Sequence, residues 1–256
     1  MEKYMSGHSK WSQIKRQKGA ADIKRGALFS RLTNAIILAA RSGGDPSANF
    51  PLKIAIEKAR AANMPKENIE RAIKRGTGEL GGTKIEEVLY EAIGPENIGL
   101  IIQALSDNRN RTNSEVKNVL TQFGGKLVGL GAVKYQFERM GKMLIDLAEF
   151  DREDLELKVI DAGARDFEEE DDSLAIYTQP NELKIVKEKL ENQSIPVREA
   201  ALTWEPKNLV SISDQSQAKK ILVLMEGLEN IEEVTGVYAN FDLSTPLGAG
   251  IEKELA

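Results

Sequence analysis

The hydrophobic period of this chain changes once, across Gly76-Thr-Gly-Glu-Leu-Gly-Gly82, and that change limits the possible folds more than any other feature. Upstream, apolar residues recur at helical spacing. Leu28, Leu32, Ala35, Ile36 and Ala39 share one helical face, and Gly43-Gly44 supplies a stop. Leu52, Ala55, Ile56, Ala59 and Ala62 mark a second helix, with Lys53, Lys58 and Arg60 around the rest of its surface. A third begins at Pro65, whose missing N–H is not needed in a first turn. It buries Ile69, Ala72 and Ile73 and ends at Gly76. The glycine-rich segment that follows is predicted to be a linker and a hinge.

Downstream the period becomes strand-like. Residues 88–93 and 99–105 read as strands and 112–123 as a helix. Thr112 with Glu115 three residues later forms a capping box, and Gly124-Gly125 ends the helix. Residues 133–137 and 209–212 read as strands, 214–228 as a helix and 234–241 as a strand. From Gly99 onward these elements spell β-α-β twice, the split order of a ferredoxin-like unit. The stretch between them repeats that order: strand 142–147, helix 151–163, strands near 164–167 and 173–178 around an acidic turn, helix 180–192 and strand 197–204. The expected fold is therefore α+β. A three-helix N-terminal domain is followed by two ferredoxin-like α/β domains, one inserted in the other. The boundaries are 1–80 for the basic arm and helices, 81–138 with 206–244 for the discontinuous domain, 139–205 for the insert and 245–256 for a tail. Three domains in series is the competing layout.

Charge is divided along the chain. Residues 1–80 hold 16 Lys or Arg against 7 Asp or Glu, a net +9, whereas 81–256 carry −14. A basic head on an acidic body points to a polyanion, and nucleic acid is the usual one. The absence of cysteine removes disulfides, thiolate zinc sites and cysteine nucleophiles, and makes a reducing, bacterial-type cytoplasm the expected location. No apolar run approaches the ~18 residues of a membrane helix, so no membrane partner is expected.

Residues 5–27 show few apolar residues and no period, as in an arm that orders on binding. Lys10, Lys15, Arg16, Lys18, Lys24, Arg25 and Arg31 are dense there and can neutralise phosphates. Trp11 among them can stack on an unpaired base or pack the arm down; both stay open. His8 is the only histidine, with no carboxylate at useful spacing. It is expected to touch nucleic acid or to have no role, not to catalyse. In the acidic body, Asp107-Asn-Arg109-Asn-Arg111-Thr leads into a helix N-terminus, which favours an anion, and arginine adds bidentate phosphate recognition. The alternative is that Asp107 or Asn108 makes a turn and the arginines pair with local acids.

Gly76-Thr-Gly78-Glu-Leu-Gly81 matches a dinucleotide fingerprint in letters only, because a helix ends before it where a strand is required. No Gly-Lys-Ser/Thr follows, so it is no phosphate-binding loop either. The acidic run Glu168 to Asp172 lacks the spacing and turn glycine of a calcium loop and is expected to be a solvated turn. No cofactor, no metal and no catalytic constellation are expected.

Several of these segments together resemble one family. Ser6-Gly-His-Ser-Lys-Trp11, Arg25-Gly26, Phe29-Ser30, Asn63-Met-Pro65, Asn68 to Ile73, Asp107 to Thr112, Gly124-Gly125 and Gly131-Ala-Val133 with Tyr135 and Phe137 are similar to the YebC family, over nearly the whole chain from Ser6 to Leu243. The resemblance aligns Met5 with the usual start and leaves the tail past Thr245 unmatched. It implies three domains, the first helical and the others α/β, and no enzyme activity. Members are described as probable transcriptional regulators that bind DNA in bacterial cytosol. Mitochondrial relatives are translational activators, and some bacterial members look like ribosome-associated factors that ease proline-containing stretches.

The expectation is a non-enzymatic, nucleic-acid-binding regulator of gene expression. As a DNA-binding transcriptional regulator it needs an element that reads base edges, and the third helix with Arg71, Lys74 and Arg75 is the candidate. A ribosome-associated translation factor needs only phosphate and shape contacts to RNA. The acidic domains would position the head, repel non-specific polyanion or bind a protein. A carboxylate-dependent hydrolase would rest only on abundant Asp and Glu.

Overall fold

A computed structural model describes residues 25–80, 85–170 and 172–243. The chain opens on α1 (Arg25–Ala40), α2 (Phe50–Ala61) and α3 (Lys66–Gly76). Asn49 caps α2, its side chain accepting from Leu52 N at 3.1 Å, and Pro65 is the N-cap residue of α3. Ile36, Ile37 and Ala40 of α1 pack against Leu52, Ile56 and Ala59 of α2 and Ile69 and Ala72 of α3. Gly76 belongs to this packing. A side-chain carbon there would lie 2.5 Å from both Ala40 Cβ and the Ile37 carbonyl oxygen. Gly76 is thus the seat of a close helix crossing and not part of a linker, and Gly81-Gly82 of the segment read as a hinge lie outside the described residues. Ile85 and Leu105 join the same core, so the helical region and the first sheet share buried apolar surface.

The described residues fall into two compact units, one of residues up to Phe137 together with those from Pro206 onward, the other Glu138–Glu205. The first unit continues with β1 (Glu86–Ile93), β2 (Gly99–Ser106), α4 (Arg109–Gln122) and β3 (Lys126–Val128). After the insert come β8 (Val210–Ile212), α7 (Gln215–Glu229), β9 (Val234–Ala239) and β10 (Phe241–Leu243), the numbering counting the insert's elements given below. The four-stranded sheet has the order β3-β1-β2-β9 and is antiparallel throughout. Its core joins Leu100, Ile102 and Val237 to Val116 and Leu120 of α4 and Ile221, Leu222 and Met225 of α7.

Three details differ from the sequence expectation. β1 takes the place beside β2, while β8 leaves the sheet and pairs in parallel with β10. Helix α4 begins at Arg109, not Thr112, because Asn108 takes the N-cap and accepts from Arg111 N at 3.2 Å. Thr112 is instead buried, its hydroxyl 2.7 Å from Ser106 Oγ. Of residues 133–137, read as a strand, only Phe137 is in one, as the first residue of the insert's first strand; Lys134–Gln136 is a single 3-10 turn. The Glu91 carboxylate takes the N–H groups of Gly131, Val133 and Lys134 that a ladder would have used.

The second unit holds β4 (Phe137–Asp146), α5 (Arg152–Ala162), β5 (Asp166–Glu170), β6 (Ser173–Thr178), α6 (Leu183–Asn192) and β7 (Glu199–Pro206). Its sheet order is β5-β6-β4-β7, the arrangement of a split β-α-β pair. Asp151 caps α5, accepting from Asp154 N at 3.1 Å, and Gly163 ends it at φ 103°, a left-handed cap that glycine adopts without strain. The acidic run is a correction. Glu168, Glu169 and Glu170 lie inside β5 rather than in a solvated turn, and Glu170 is buried.

Candidate nucleic-acid interface

His8, Lys10, Trp11, Lys15, Arg16, Lys18 and Lys24 lie outside the described residues, and Arg25 is the first residue of α1. Arg31 is described, and its position does not suit a phosphate contact. Its guanidinium is half-buried and donates from Nη2 to the carbonyl oxygen of Glu229 at 2.5 Å. That carbonyl belongs to the last turn of α7, whose C=O groups have no partner within the helix. Burial pulls the Arg31 pKa down, against the opposing charges of Glu229 and Glu232.

The Asp107 to Thr112 tract is likewise spoken for. Arg111 donates from Nε to Glu233 Oε1 at 2.9 Å and from Nη2 to Asp107 Oδ1 at 2.8 Å, with a further close bond from Nη2 to Glu233. Glu233 is only 7% exposed. Its hydrogen bond, and next its charge, push the Arg111 pKa up. Arg109 pairs through Nε with Glu86 Oε2 at 2.9 Å. The geometry is that of arginines pairing with local acids, the alternative left open by the sequence, and not of an open anion cradle.

Sorting every described arginine side chain by partner separates the molecule into two kinds of surface. In the sheet-containing parts, Arg109, Arg111, Arg152, Arg165 and Arg198 are each paired with a carboxylate, and Arg139 lies 5.8 Å over the Trp204 ring. In the helical region, Arg41, Arg60, Arg71 and Arg75 are exposed and have no acid partner among the described residues. Arg60 and Arg75 stand in the last turns of α2 and α3, and Arg41 directly follows α1. The negative ends of the helix dipoles favour cations there, so these guanidinium groups are held without spending their hydrogen-bond donors on carboxylates. Arg41 and Arg75 also line one cleft of about 1080 Å³, together with Ser30, Thr33 and Asn34 of α1. Asp107, Arg111, Glu232 and Glu233 line the same cleft. Sequence reading named Arg71 and Arg75 for the third helix but passed over Arg41 and Arg60 as site residues. The available signal was a cation at or just past the end of each predicted helix.

The second unit has a separate charged cluster. Lys142 Nζ bonds Glu170 Oε1 at 2.5 Å and sits 5.3 Å from the centre of the Tyr177 ring, whose hydroxyl donates to Glu168. Glu205 is pushed up to about 7 by burial and by the charges of Glu168 and Glu170, against Lys142. Burial, then the charges of Glu205 and Glu168, drive the Tyr177 phenol far above its ordinary value. Among the described residues, no helix is long and apolar enough to cross a membrane.

The fold places the chain in the α+β class, with a helical N-terminal region ahead of sheet-containing parts. Comparison with known proteins then fixes the family. Residues 9–79 match the TACO1/YebC protein N-terminal domain, and 85–241 match the TACO1/YebC second and third domain. The chain belongs to the TACO1/YebC family. It is 47% identical to a protein of Halothermothrix orenii named "Probable transcriptional regulatory protein", over 98% of this chain and 100% of that one. A protein of the same name from Aquifex aeolicus is 46% identical over 93% of this chain and 96% of its own length. The crystal structure of a conserved hypothetical protein from Aquifex aeolicus superimposes with a TM-score of 0.81 at 45% identity, covering 87% of this chain and 92% of that one.

Proposed function

We propose that this chain is a cytoplasmic, non-enzymatic regulator of gene expression that binds nucleic acid through its helical N-terminal region. The observation that carries the reading is the division of arginines: four exposed guanidinium groups without acid partners among the described residues of the helical region, against paired or stacked arginines in the sheet-containing parts. Phosphates are the natural partners of such groups. The names of the relatives support regulation of transcription, and with it DNA as the target.

RNA, as met by a ribosome-associated translation factor, is the second reading, and one observation favours it. Arg41, Arg60 and Arg75 stand at or just past the ends of three different helices and only Arg71 and Arg75 share one, whereas reading a DNA groove calls for contacts aligned along one element. Phosphate and shape contacts suffice for structured RNA.

The test is binding by the full chain with Arg41, Arg60, Arg71 and Arg75 all changed to Ala. The variant should fold normally by circular dichroism and lose affinity for both duplex DNA and structured RNA. Whichever of the two the unchanged chain binds more tightly at physiological salt is its target class. Undiminished binding by the folded variant would remove the helical region as the interface.

A further inference from the structure

The loop between β3 and β4, residues 129–136, is held from below by a buried charge. Glu91 of β1 stands opposite Val128 of β3 and is 1% exposed. Its carboxylate accepts from the N–H groups of Gly131, Val133 and Lys134 at 2.6, 2.7 and 2.8 Å. The far end of the loop is fixed as well. Gln136 Oε1 accepts from Asn240 Nδ2 at 2.7 Å, and the Gln136 carbonyl accepts from Lys207 N at 2.8 Å. Burying a carboxylate is costly unless its lone pairs are satisfied. Here all the compensating bonds go to one surface loop, which fixes the shape of that loop.

The side chains so presented are apolar. Leu130 is 83% exposed and Tyr135 67% exposed, the highest values among the large hydrophobic side chains of the described residues. The Tyr135 hydroxyl accepts from Gln136 Nε2 at 3.2 Å, which steadies the ring. The local charge runs against the rest of the body. Residues 124–137 contain Lys126 and Lys134 and no acid, and 206–213 contain Lys207 and no acid, inside a stretch that is −14 overall; the Glu91 carboxylate beneath the loop is buried and faces Lys134. An exposed ring beside lysines on a rigid loop matches a polyanion that carries flat apolar groups. A protein segment would need acids set to meet the lysines.

From this geometry we infer that the 129–136 loop binds an unpaired nucleobase, stacked on the Tyr135 ring, with a neighbouring phosphate at Lys207. The inference rests on the nucleic-acid reading above and adds a second contact to it. The helical arginines touch phosphates of any strand. The Tyr135 loop takes only bases freed from a duplex, because a paired base offers no free face.

The test uses the full chain, unchanged and as Tyr135→Ala, Tyr135→Trp and the fourfold arginine variant. Each is titrated with a single strand of roughly 12 nucleotides, within the size such sites cover, bearing 2-aminopurine, and with the duplex of the same sequence. Tyr135→Ala should bind the single strand about tenfold more weakly and lose the quenching of 2-aminopurine, whereas Tyr135→Trp keeps both. Duplex binding should be the same for all three. Running the strand as RNA and as DNA separates the two sources of the base. If Tyr135→Ala binds the single strand like the unchanged chain, or if Tyr135→Trp fails as Tyr135→Ala does, base stacking at this loop is wrong. Loss of binding by the fourfold variant alongside such a result leaves the helical interface standing and the loop open to a protein. If the unchanged chain binds neither strand nor duplex, both readings fall together.

Discussion

Burial alone would raise the pKa of Glu91, but the N–H groups of Gly131, Val133 and Lys134, with the Lys134 charge, outweigh it and hold the carboxyl below the ordinary glutamate range. A pKa depressed by folding contributes stability that is present above the unfolded value of ~4.3 and lost as pH falls through the lower folded value. Glu91→Gln sets an amide N–H against backbone N–H groups and should cost about 1–3 kcal/mol at neutral pH. Urea unfolding should show that gap closing on acidification; equal midpoints at neutral pH would contradict the role given to Glu91. Glu205 has the opposite sign. Its folded pKa is raised to about 7, so its share of stability is complete below the ordinary glutamate value and lost as pH rises through 7. Glu205→Gln should be near neutral at about pH 4 and stabilising by up to about 3 kcal/mol at about pH 8. A variant less stable at the higher pH would overturn that account of burial. Arg111→Ala leaves the nearly buried Glu233 without its guanidinium, so the thermal midpoint should fall while affinity per folded molecule stays constant. An unchanged midpoint with weakened binding would restore the anion site at Asp107 to Thr112.

At the scale of elements, α1 is the piece that ties the helical region to the first sheet. Arg31 reaches the last turn of α7, and Ile36 and Ala40 share a core with Leu105 of β2. Arg31→Met keeps the stem but drops the donor to the Glu229 carbonyl, and should cost about 1–2 kcal/mol, read in urea unfolding, without changing nucleic-acid affinity. Loss of affinity with full stability would return Arg31 to the interface. Periodicity made the elements themselves legible, because one buried face per helix and alternation along strands are local facts, as Ile69 and Ala72 of α3 show. What stayed hidden depended on partners distant in sequence. Thr112 reads as an N-cap, but Asn108 caps the helix four residues earlier and the Thr112 hydroxyl bonds Ser106 instead. Residues 133–137 alternated like a strand, but Glu91, more than 40 residues away, captures their N–H groups. Glu168 to Glu170 read as a turn by composition alone, and Lys142 and Tyr177 are what allow a strand there. For the site, the charge division was legible along the chain. Which arginines stand without acids was not, because Glu233 meets Arg111 across 122 positions.

On the scale of the whole molecule, a +9 segment with Arg41, Arg60, Arg71 and Arg75 exposed stands against a −14 body whose arginines are mostly paired. The two parts share a core at Ile85 and Leu105, so removing the helical region would expose apolar surface and confound a truncation. Charge changes in the full chain avoid that. Each phosphate neutralised on a duplex releases counterions and steepens the fall of log K with log salt by about 0.9. The most direct measurement is therefore the salt dependence of duplex binding for the unchanged chain and for the fourfold Arg41, Arg60, Arg71 and Arg75 to Ala variant. The account predicts a steep slope for the first and one shallower by about 3–4 for the second. Equal slopes, or a slope near zero in the unchanged chain, would contradict it.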